Sequence, residues 1–401
     1  MSFQQGLSGL NAAAKNLDAI GNNVANANTV GFKQSQAQFA DVYANSLNGG
    51  GGSQVGIGVK VAQVAQQFTQ GNITATNNAL DIAINGGGFF RMDTNGEVTY
   101  QRNGQFQLDR EGFIVNPSGS KLTGYTASAS GILSTGAAAP LSINTADLVP
   151  QSTTVVNAIL NLDSRGVTPA AAFDMNDPLS FNNSSAVSVY DSLGNSHTLQ
   201  TYYVKTGPGA WDVHASMDGG TSFPAGSFTF DTDGALTSGS PITIPAQTLT
   251  TGASPLGFPI DFAGTTQFGS TFSVNTLNQD GYTSGRLGGF NIGADGVILG
   301  RYTNGQSAVL GQVVLANFSN PNGLQQLGSN QWAETSSSGN PLVGSPNSGS
   351  MGVLQSSAVE DSNVDLTAEL VNMITAQRVY QANAQTIKAQ DAVLQTLVNL
   401  R

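Results

Sequence analysis

Two histidines, His197 and His214, are the residues of this sequence best suited to acid–base or metal chemistry. A zinc site needs three or four ligands, and the chain of 401 residues has no cysteine to help complete one. Both histidines lie in runs that alternate polar and apolar residues, VSVYDSLGNSHTLQ and WDVHAS, which predict neighbouring β-strands. We therefore interpret them as cross-strand or surface residues rather than as ligands.

Two other motifs resemble ligand-binding loops. Asp231–Gly234, with the sequence DTDG, begins like a calcium loop, but no further acid follows at the spacing of an EF-hand, and a hairpin turn is the favoured interpretation. Gly86–Gly88 lacks the Lys-Ser/Thr of a phosphate-binding loop and is better explained by a tight strand crossing. The sequence has no G-x-S-x-G elbow and singles out no carboxylate pair. It therefore predicts no catalytic residue, no metal and no cofactor.

Composition is more informative than these motifs. Charged residues are 10% of the chain, against roughly 25% in an average soluble protein, and the formal net charge is -11. The acidic balance argues against nucleic acid and anionic membranes as partners, and the sequence has no apolar run of about 18 residues that would insert into a membrane. A surface poor in charge resists association weakly, which favours a protein that packs against copies of itself.

Apolar residues at alternating spacings of four and three mark both ends of the chain, as in helices that carry a coiled-coil seam. The pattern predicts a first helix of about 25 residues and a last helix of about 36, both much longer than the average of about 11 to 12. Asp365 is the expected N-cap of the last helix. The seam residues that we expect at subunit contacts are Phe3, Leu7, Leu10, Leu17, Val24, Leu366, Leu370, Met373, Tyr380, Ile387, Leu394 and Val398.

Four asparagines fall within seven residues at the end of the first helix, in GNNVANANTVGFK. Asparagine tolerates the left-handed conformation and caps helix ends through its amide, and Gly31 permits a further turn. We expect this segment to stop the helix and redirect the chain. We also expect Asn22 and Asn23 to take part in subunit assembly, because uncharged amides bond without the desolvation cost of buried ions. An ordinary polar loop is the alternative.

The chain between the helices reads as short β-strands. Pairs that favour hairpin turns separate the strands: Asn95-Gly96, Asn103-Gly104, Asp233-Gly234, Asp295-Gly296 and Asn304-Gly305. We predict a mainly β, multi-domain chain with nested discontinuous domains, in which the long N- and C-terminal α-helices pair as a coiled-coil or bundle layer. An antiparallel pair that only caps a monomer is the alternative, but one buried seam looks too small to offset the entropy of ordering both helices.

The predicted domains follow the approximate mirror symmetry of the sequence. A helical assembly domain comprises 1–30 and 360–401, and an extended connector spans 31–70, with a flexible glycine-rich part at 45–58. An inner β domain comprises 71–148 and 281–359, and an outer β domain spans 149–280.

Three segments resemble the flagellar rod and hook family of axial proteins. They begin SGLNAAAKNLDAIGNNVANANTVGFK (8–33), ALDIAINGGGFFRM (within 79–125) and SSAVEDSNVDLTAELVNMITAQ (within 356–401). Within that family, the length of the chain and the β insertion at about 149–280 favour a hook subunit, with a distal rod subunit as the alternative. A secreted β-rich enzyme or adhesin with coiled-coil ends is a further hypothesis. The enzyme would need an acid pair in a cleft, and the adhesin should work as a soluble trimer or monomer.

The resemblance implies a structural role outside the cell. Subunits of this family leave through the flagellar type III export apparatus without a cleaved signal peptide and polymerise under a hook cap. The product is a curved, flexible tube, a universal joint that transmits torque from rod to filament. The expected partners are further copies of the chain, the flagellar rod and hook–filament junction proteins, the hook cap and the export apparatus.

Overall fold

A computed structural model describes residues 2–42, 56–128 and 131–399. Two long helices lie near the two ends of the sequence, α1 (Ser2–Ala25) and α2 (Leu366–Asn399). Apart from a single 3-10 turn at Pro321–Gly323, the regular elements between them in the described residues are β-strands. The predicted architecture, mainly β with a long helix at each end, is confirmed.

The chain divides into two compact units. The first comprises the residues up to Asn144, Gly289–Gly300 and the residues from Ser307 onward, and the second comprises Thr145–Gly288 and Arg301–Gln306. Each unit is assembled from separated stretches of sequence, so the chain is multi-domain and its units are discontinuous. The finer division into helical, connector, inner and outer parts stays a prediction, and the glycine-rich stretch 45–55 lies outside the described residues.

The first unit holds both helices and most of the strands. Its strands are β1 (Ser35–Val42), β2 (Gly58–Gln66), β3 (Ile73–Ala75), β4 (Ile82–Asn85), β5 (Phe89–Thr94), β6 (Glu97–Gln101), β7 (Gln107–Leu108), β8 (Ile114–Val115), β9 (Lys121–Thr126) and β10 (Ala139–Pro140). The strands β11 to β19 belong to the second unit. The first unit holds most of β20 (Leu287–Ile292) and of β21 (Val297–Tyr302). It also holds β22 (Ser307–Val313), β23 (Leu315–Asn317), β24 (Gln325–Gly328), β25 (Gln331–Ala333), β26 (Leu342–Gly344), β27 (Val353–Ser356) and β28 (Ala358–Glu360).

One large sheet organises the β part of the first unit. Its central path runs β20-β21-β22-β9-β5-β6-β25-β24, while β27 pairs with β4 and β28 pairs with β3 in small antiparallel sheets. The pairings of β3 and β4 join the part of the sequence that follows β2 to the part just before the last helix. The hairpin β1–β2 is a separate antiparallel sheet that packs on α1.

An aromatic cluster anchors the chain where it leaves this hairpin. Phe68 lies edge-on to Phe89 at 5.4 Å and to Trp332 at 5.7 Å between ring centroids. The Trp332 indole Nε1 donates a 2.7 Å hydrogen bond to Gln66 Oε1 at the end of β2. The hairpin is therefore attached to the large sheet at its base, and it presents its other end along α1.

The second unit is a two-sheet sandwich. Its strands are β11 (Val156–Asn161), β12 (Asn183–Tyr190), β13 (Ser196–Gly207), β14 (Ala210–Met217), β15 (Phe223–Phe230), β16 (Leu236–Ser238), β17 (Ile242–Gln247), β18 (Leu256–Asp261) and β19 (Ser273–Gln279). One sheet has the order β12-β13-β14-β15-β16 and the other β17-β18-β11-β19. Inward-facing side chains of both sheets, among them Trp211, Phe228 and Phe258, share one buried core.

The turn pairs behave as predicted at four positions and differently at one. Gly96, Gly234, Gly296 and Gly305 have φ between 80° and 91°, the left-handed region that hairpin turns need. Gly104 does not, and the Asn103-Gly104 pair is not a hairpin turn. A Cβ on Gly104 would collide with the carbonyl oxygen of Ile82, so glycine is required there for close approach of two backbones.

Candidate assembly surface on the terminal helices

The α2 helix begins where the sequence predicts. Asp365 Oδ1 accepts hydrogen bonds from the backbone N–H groups of Thr367 at 2.8 Å and Ala368 at 3.2 Å, which confirms Asp365 as the N-cap. Glu369 lies in the first turn, where a negative charge interacts favourably with the helix dipole.

The two helices lie antiparallel and approach closely through small residues. A Cβ on Gly9 would lie 2.7 Å from Asn383 Oδ1, and one on Gly6 would lie 3.1 Å from Ile387 Cγ1. At the other end of the pair, Asn23 Nδ2 lies 3.3 Å from Glu369 Oε2. Absence of a side chain at Gly6 and Gly9 therefore allows the α1 backbone to approach α2.

The face of α1 that is turned toward α2 and the cavity beside it is a second heptad-like stripe, separate from the predicted seam. Its members again alternate spacings of three and four, but they are small or amide residues: Gly6, Gly9, Ala13, Asn16, Ile20 and Asn23. The corresponding face of α2 carries Glu369, Asn372, Ala376, Val379 and Asn383. The intramolecular pairing thus uses mainly a face beside the predicted apolar seams, and Ile387 is a seam residue that also lies against Gly6.

The predicted seam residues are consequently left partly or largely exposed. Leu370 is 49%, Leu394 54% and Val398 73% exposed. The other exposed members are Phe3, Leu7, Leu366 and Tyr380. The half-buried members are Leu10, Leu17, Val24, Met373 and Ile387. The seams therefore remain available for contacts outside the chain.

The asparagine segment ends α1 by bonding to the following strand. The buried amide of Asn23 donates to Ser35 O at 2.9 Å and accepts from Ser35 N at 2.8 Å. Gly31 has a φ of 72°, as the predicted further turn requires. Asn23 therefore bonds inside the chain, and the expectation of amide bonds between copies rests on the exposed Asn22.

Glu369 is the centre of a buried polar network beside Asn23. Its Oε1 accepts hydrogen bonds from Gln34 Nε2 at 2.7 Å and from Asn372 Nδ2 at 3.4 Å. Glu369 is only 2% exposed. The donors are all amides, and among the described residues no Lys or Arg forms an ion pair with this carboxylate. A cavity of about 680 Å³ lies beside it, between α1, α2 and the β1–β2 hairpin.

A buried ion triad fixes the points where the chain enters and leaves the β part. Glu360 Oε1 lies 2.7 Å from Lys33 Nζ, and Glu360 Oε2 lies 3.1 Å from Arg102 Nε. Lys33 also donates to Thr69 O at 2.7 Å. Burial and the neighbouring Arg102 guanidinium lower the pKa of Lys33, while Glu360 opposes them. The segments after α1 and before α2 are therefore held together.

The two histidines lie on adjacent strands of the second unit, as predicted, with different surroundings. His197 on β13 is held between two carboxylates, with Nδ1 2.6 Å from Asp218 Oδ2 and Nε2 3.3 Å from Asp191 Oδ2. His214 on β14 stacks on Phe173 at 4.0 Å between ring centroids. Within 2–42, 56–128 and 131–399, no cluster of three or more His, Cys, Asp or Glu has the geometry to hold a metal ion.

Neither helix, over its described residues, is apolar enough across a sufficient length to cross a membrane.

Four family models match separate parts of the chain, in sequence order, and define its class. Residues 3–33 match the flagella basal body rod protein, and 83–157 match the D1 domain of flagellar hook protein FlgE/F/G. Residues 161–282 match the flagellar basal body protein FlaE D2 domain, and 355–400 match the C-terminal part of the basal body rod FlgEFG proteins. The two helices and the β units thus belong to a flagellar rod or hook protein.

Full-length relatives narrow the class. The flagellar hook protein FlgE of Salmonella typhimurium is 46% identical over 411 residues, and that of Escherichia coli K12 is 44% identical over 409, each match covering 100% of both chains. The hook protein of Borreliella burgdorferi is 33% identical over 100% of this chain and 99% of its own. The chain belongs to the flagellar hook protein family, which favours the hook over the distal rod.

A solved structure has a similar fold. The crystal structure of Helicobacter pylori flagellar hook protein FlgE2 aligns with a TM-score of 0.54 and 16% identity, covering 72% of this chain and 99% of that one. At this identity the likeness concerns the fold alone.

Proposed function

We propose that this chain is the structural subunit that polymerises into the flagellar hook, a curved and flexible tube that transmits torque from rod to filament. The observation that carries the proposal is the exposure of the apolar seams on α1 and α2, of which Leu370 and Leu394 are examples. A fully buried Leu contributes about 1.5 to 3 kcal/mol relative to an exposed one. Several seam residues buried against neighbours would therefore drive assembly.

Within a copy, the two helices form the assembly domain and pair as a coiled-coil layer. The intramolecular face of small and amide residues holds the pair together, while the seams pack in a bundle with helices of other copies. The proposed domains are 1–30 with 360–401 for assembly, 31–70 as connector, 71–148 with 281–359 as inner β domain and 149–280 as outer β domain. The helices line the tube, and the β domains form its outer layers.

The wider setting follows from the family. The subunit is exported by the flagellar type III apparatus without a cleaved signal peptide and assembles outside the cell under a hook cap. Its neighbours are further copies, the rod below and the hook–filament junction proteins above. The role is structural rather than enzymatic, in keeping with relatives that are named as hook proteins.

The seam is tested by placing charges in it. The double variant Leu370→Asp/Leu394→Asp should abolish tubes in electron micrographs and motility in cells, because carboxylates buried at a subunit contact pay a large desolvation cost. Gln385→Asp adds a charge to the same helix at an exposed position outside the seam and is the matched control. Circular dichroism should show folded β units in all variants. Normal tubes from the double variant would refute the proposal, and straight tubes from the native chain would favour the rod.

A further inference from the structure

The buried carboxylate of Glu369 lacks a counterion within the part of the chain that the structure describes. It receives three amide donors, from Asn23, Gln34 and Asn372, and those bonds satisfy only part of the four lone-pair sites of an ionised carboxylate. These donors and the N-terminal end of α2 offset part of the cost of burying the carboxylate, and a cation would offset more of it. The neighbouring cavity of about 680 Å³ is large enough to admit one.

The residues that line the cavity indicate which kind of cation would bind beside Glu369. Asn16 and Asn383 add side-chain amides to the lining, and Ala12, Ala13 and Ile20 add apolar side chains. A guanidinium fits this combination, because its planar group donates several hydrogen bonds to a carboxylate and to amide oxygens while its flat faces tolerate apolar contact. The cavity therefore favours an arginine side chain over a compact, strongly hydrated ammonium.

Arg378 is the complementary group on the same helix. It is exposed, and its guanidinium has no ion pair or hydrogen bond among the described residues. Arg378 follows Glu369 by nine residues, which is about two and a half turns at about 3.6 residues per turn. The two side chains thus project from opposite sides of α2, and a chain cannot fill its own cavity with its own Arg378.

We propose that the cavity beside Glu369 receives Arg378 of a second copy of this chain. The inference rests on the proposed function and adds a specific recognition contact to it. Because the donor and the receiving cavity lie on opposite sides of one helix, the contact is head-to-tail. A head-to-tail contact leaves a free donor and a free cavity at the two ends, so it builds rings or open helical polymers rather than two-fold dimers.

The test is a double-mutant cycle on polymerisation of the full-length chain. Glu369→Gln keeps the size of the side chain and one acceptor oxygen, and Arg378→Gln removes the guanidinium at an exposed position. Each single variant should raise the critical concentration for polymerisation about tenfold, as expected for a desolvated charge-assisted pair. The double variant should be no worse than the more affected single variant, because the contact is already lost.

Lys388→Gln is the matched control, since Lys388 is also an exposed and unpaired cation on α2 but lies on a different side of it. Its effect should be small and should multiply with that of Glu369→Gln. If Glu369→Gln impairs folding, Arg378→Gln must still raise the critical concentration where Lys388→Gln does not.

Three outcomes would overturn the contact. They are multiplicative effects of Glu369→Gln and Arg378→Gln, an unchanged critical concentration in Arg378→Gln, and a requirement for Ca²⁺ or Mg²⁺ that Glu369→Gln abolishes, which would assign the cavity to a metal. In each case native polymerisation would leave the proposed function standing. If the native chain formed no polymer at all, both the proposed contact and the proposed function would be refuted.

Discussion

Asn23 Nδ2 lies 3.3 Å from Glu369 Oε2, across 346 positions of the sequence. The same amide bonds both backbone polar groups of Ser35. One side chain thus joins the end of α1, the beginning of β1 and the first turn of α2. The two terminal segments that resemble the rod and hook family meet at this bond, so the junction sets the relative position of the helices on which the seams lie.

Replacing Asn23 should loosen this junction. In Asn23→Ala, the buried groups of Ser35 and Glu369 lose a hydrogen-bond partner, and we expect the free energy of unfolding of the first unit to fall by about 1 to 3 kcal/mol. Urea titration measures the loss, and hydrogen exchange should rise at the amide of Ser35. Asn22→Ala is the control: Asn22 is exposed, so its substitution should change monomer stability by less than about 0.5 kcal/mol. Equal losses in both variants would contradict the assignment.

Two glycines near the same junction should respond in opposite directions to alanine. Gly31 has a φ of 72°, and a Cβ there would lie 2.5 Å from Asn103 N, so Gly31→Ala combines backbone strain with a steric clash. Its free energy of unfolding, measured by urea titration, should fall by more than the roughly 1 to 2 kcal/mol expected for left-handed strain alone. A Cβ on Gly21, inside α1, would meet no atom of another part of the chain within 4 Å, so Gly21→Ala should stabilise the monomer by up to about 1 kcal/mol. A neutral Gly31→Ala would show that the turn adapts.

Local sequence patterns predict the elements well. The period of the apolar residues predicts both helices, an aspartate marks the beginning of α2, and most Asn-Gly and Asp-Gly pairs lie in turns. These signals depend on neighbours within a few residues, where backbone preference and side-chain period act directly. The Asn103-Gly104 pair fails because the same dipeptide also serves where two backbones approach, which only the tertiary structure shows.

The faces used by the helices were harder to predict. Large apolar residues dominate the periodic pattern of hydrophobicity. The stripe containing Gly6, Gly9 and Ala13 is made of small residues, so it contributes little to that pattern and is easily missed. Its spacing of three and four was nevertheless a signal that could have been found. The role of Glu369 as a buried acceptor, and the ion pair of Lys33 with Glu360 across 327 positions, depend on long-range proximity that no local pattern encodes.

The ion triad should be sensitive to loss of its single acid. Glu360→Gln leaves the buried cations Lys33 and Arg102 without a negative partner, and we expect a loss of about 3 to 5 kcal/mol in the free energy of unfolding. Asp18→Asn removes an acid from the exposed pair with Lys15 and should cost less than about 1 kcal/mol. Urea titration at low and high salt compares them. A Glu360→Gln loss that disappears in high salt would contradict burial of the triad, because buried pairs are weakly screened.

The two histidines should give the second unit opposite pH responses. Burial lowers the pKa of His197, but hydrogen bonds and charge from Asp218 and Asp191 outweigh it, so the pKa is raised overall. Its stabilising contribution is therefore fully present below about pH 6.5, the unfolded value, and is lost as the pH rises through the folded pKa. Burial lowers the pKa of His214 despite Asp212, so its contribution is lost as the pH falls below about 6.5.

Stability of the second unit should consequently be greatest near pH 6.5, as judged from these two groups. Thermal unfolding followed by tryptophan fluorescence between about pH 5 and 9 measures the profile in a Trp332→Phe background, where the signal comes from Trp211 in the core of the second unit. His197→Gln should flatten the alkaline side and leave the acid side, while His214→Gln should do the reverse. An alkaline slope that persists in His197→Gln would mean that another group titrates there, and the bridge from Asp191 through His197 to Asp218 would not be its cause.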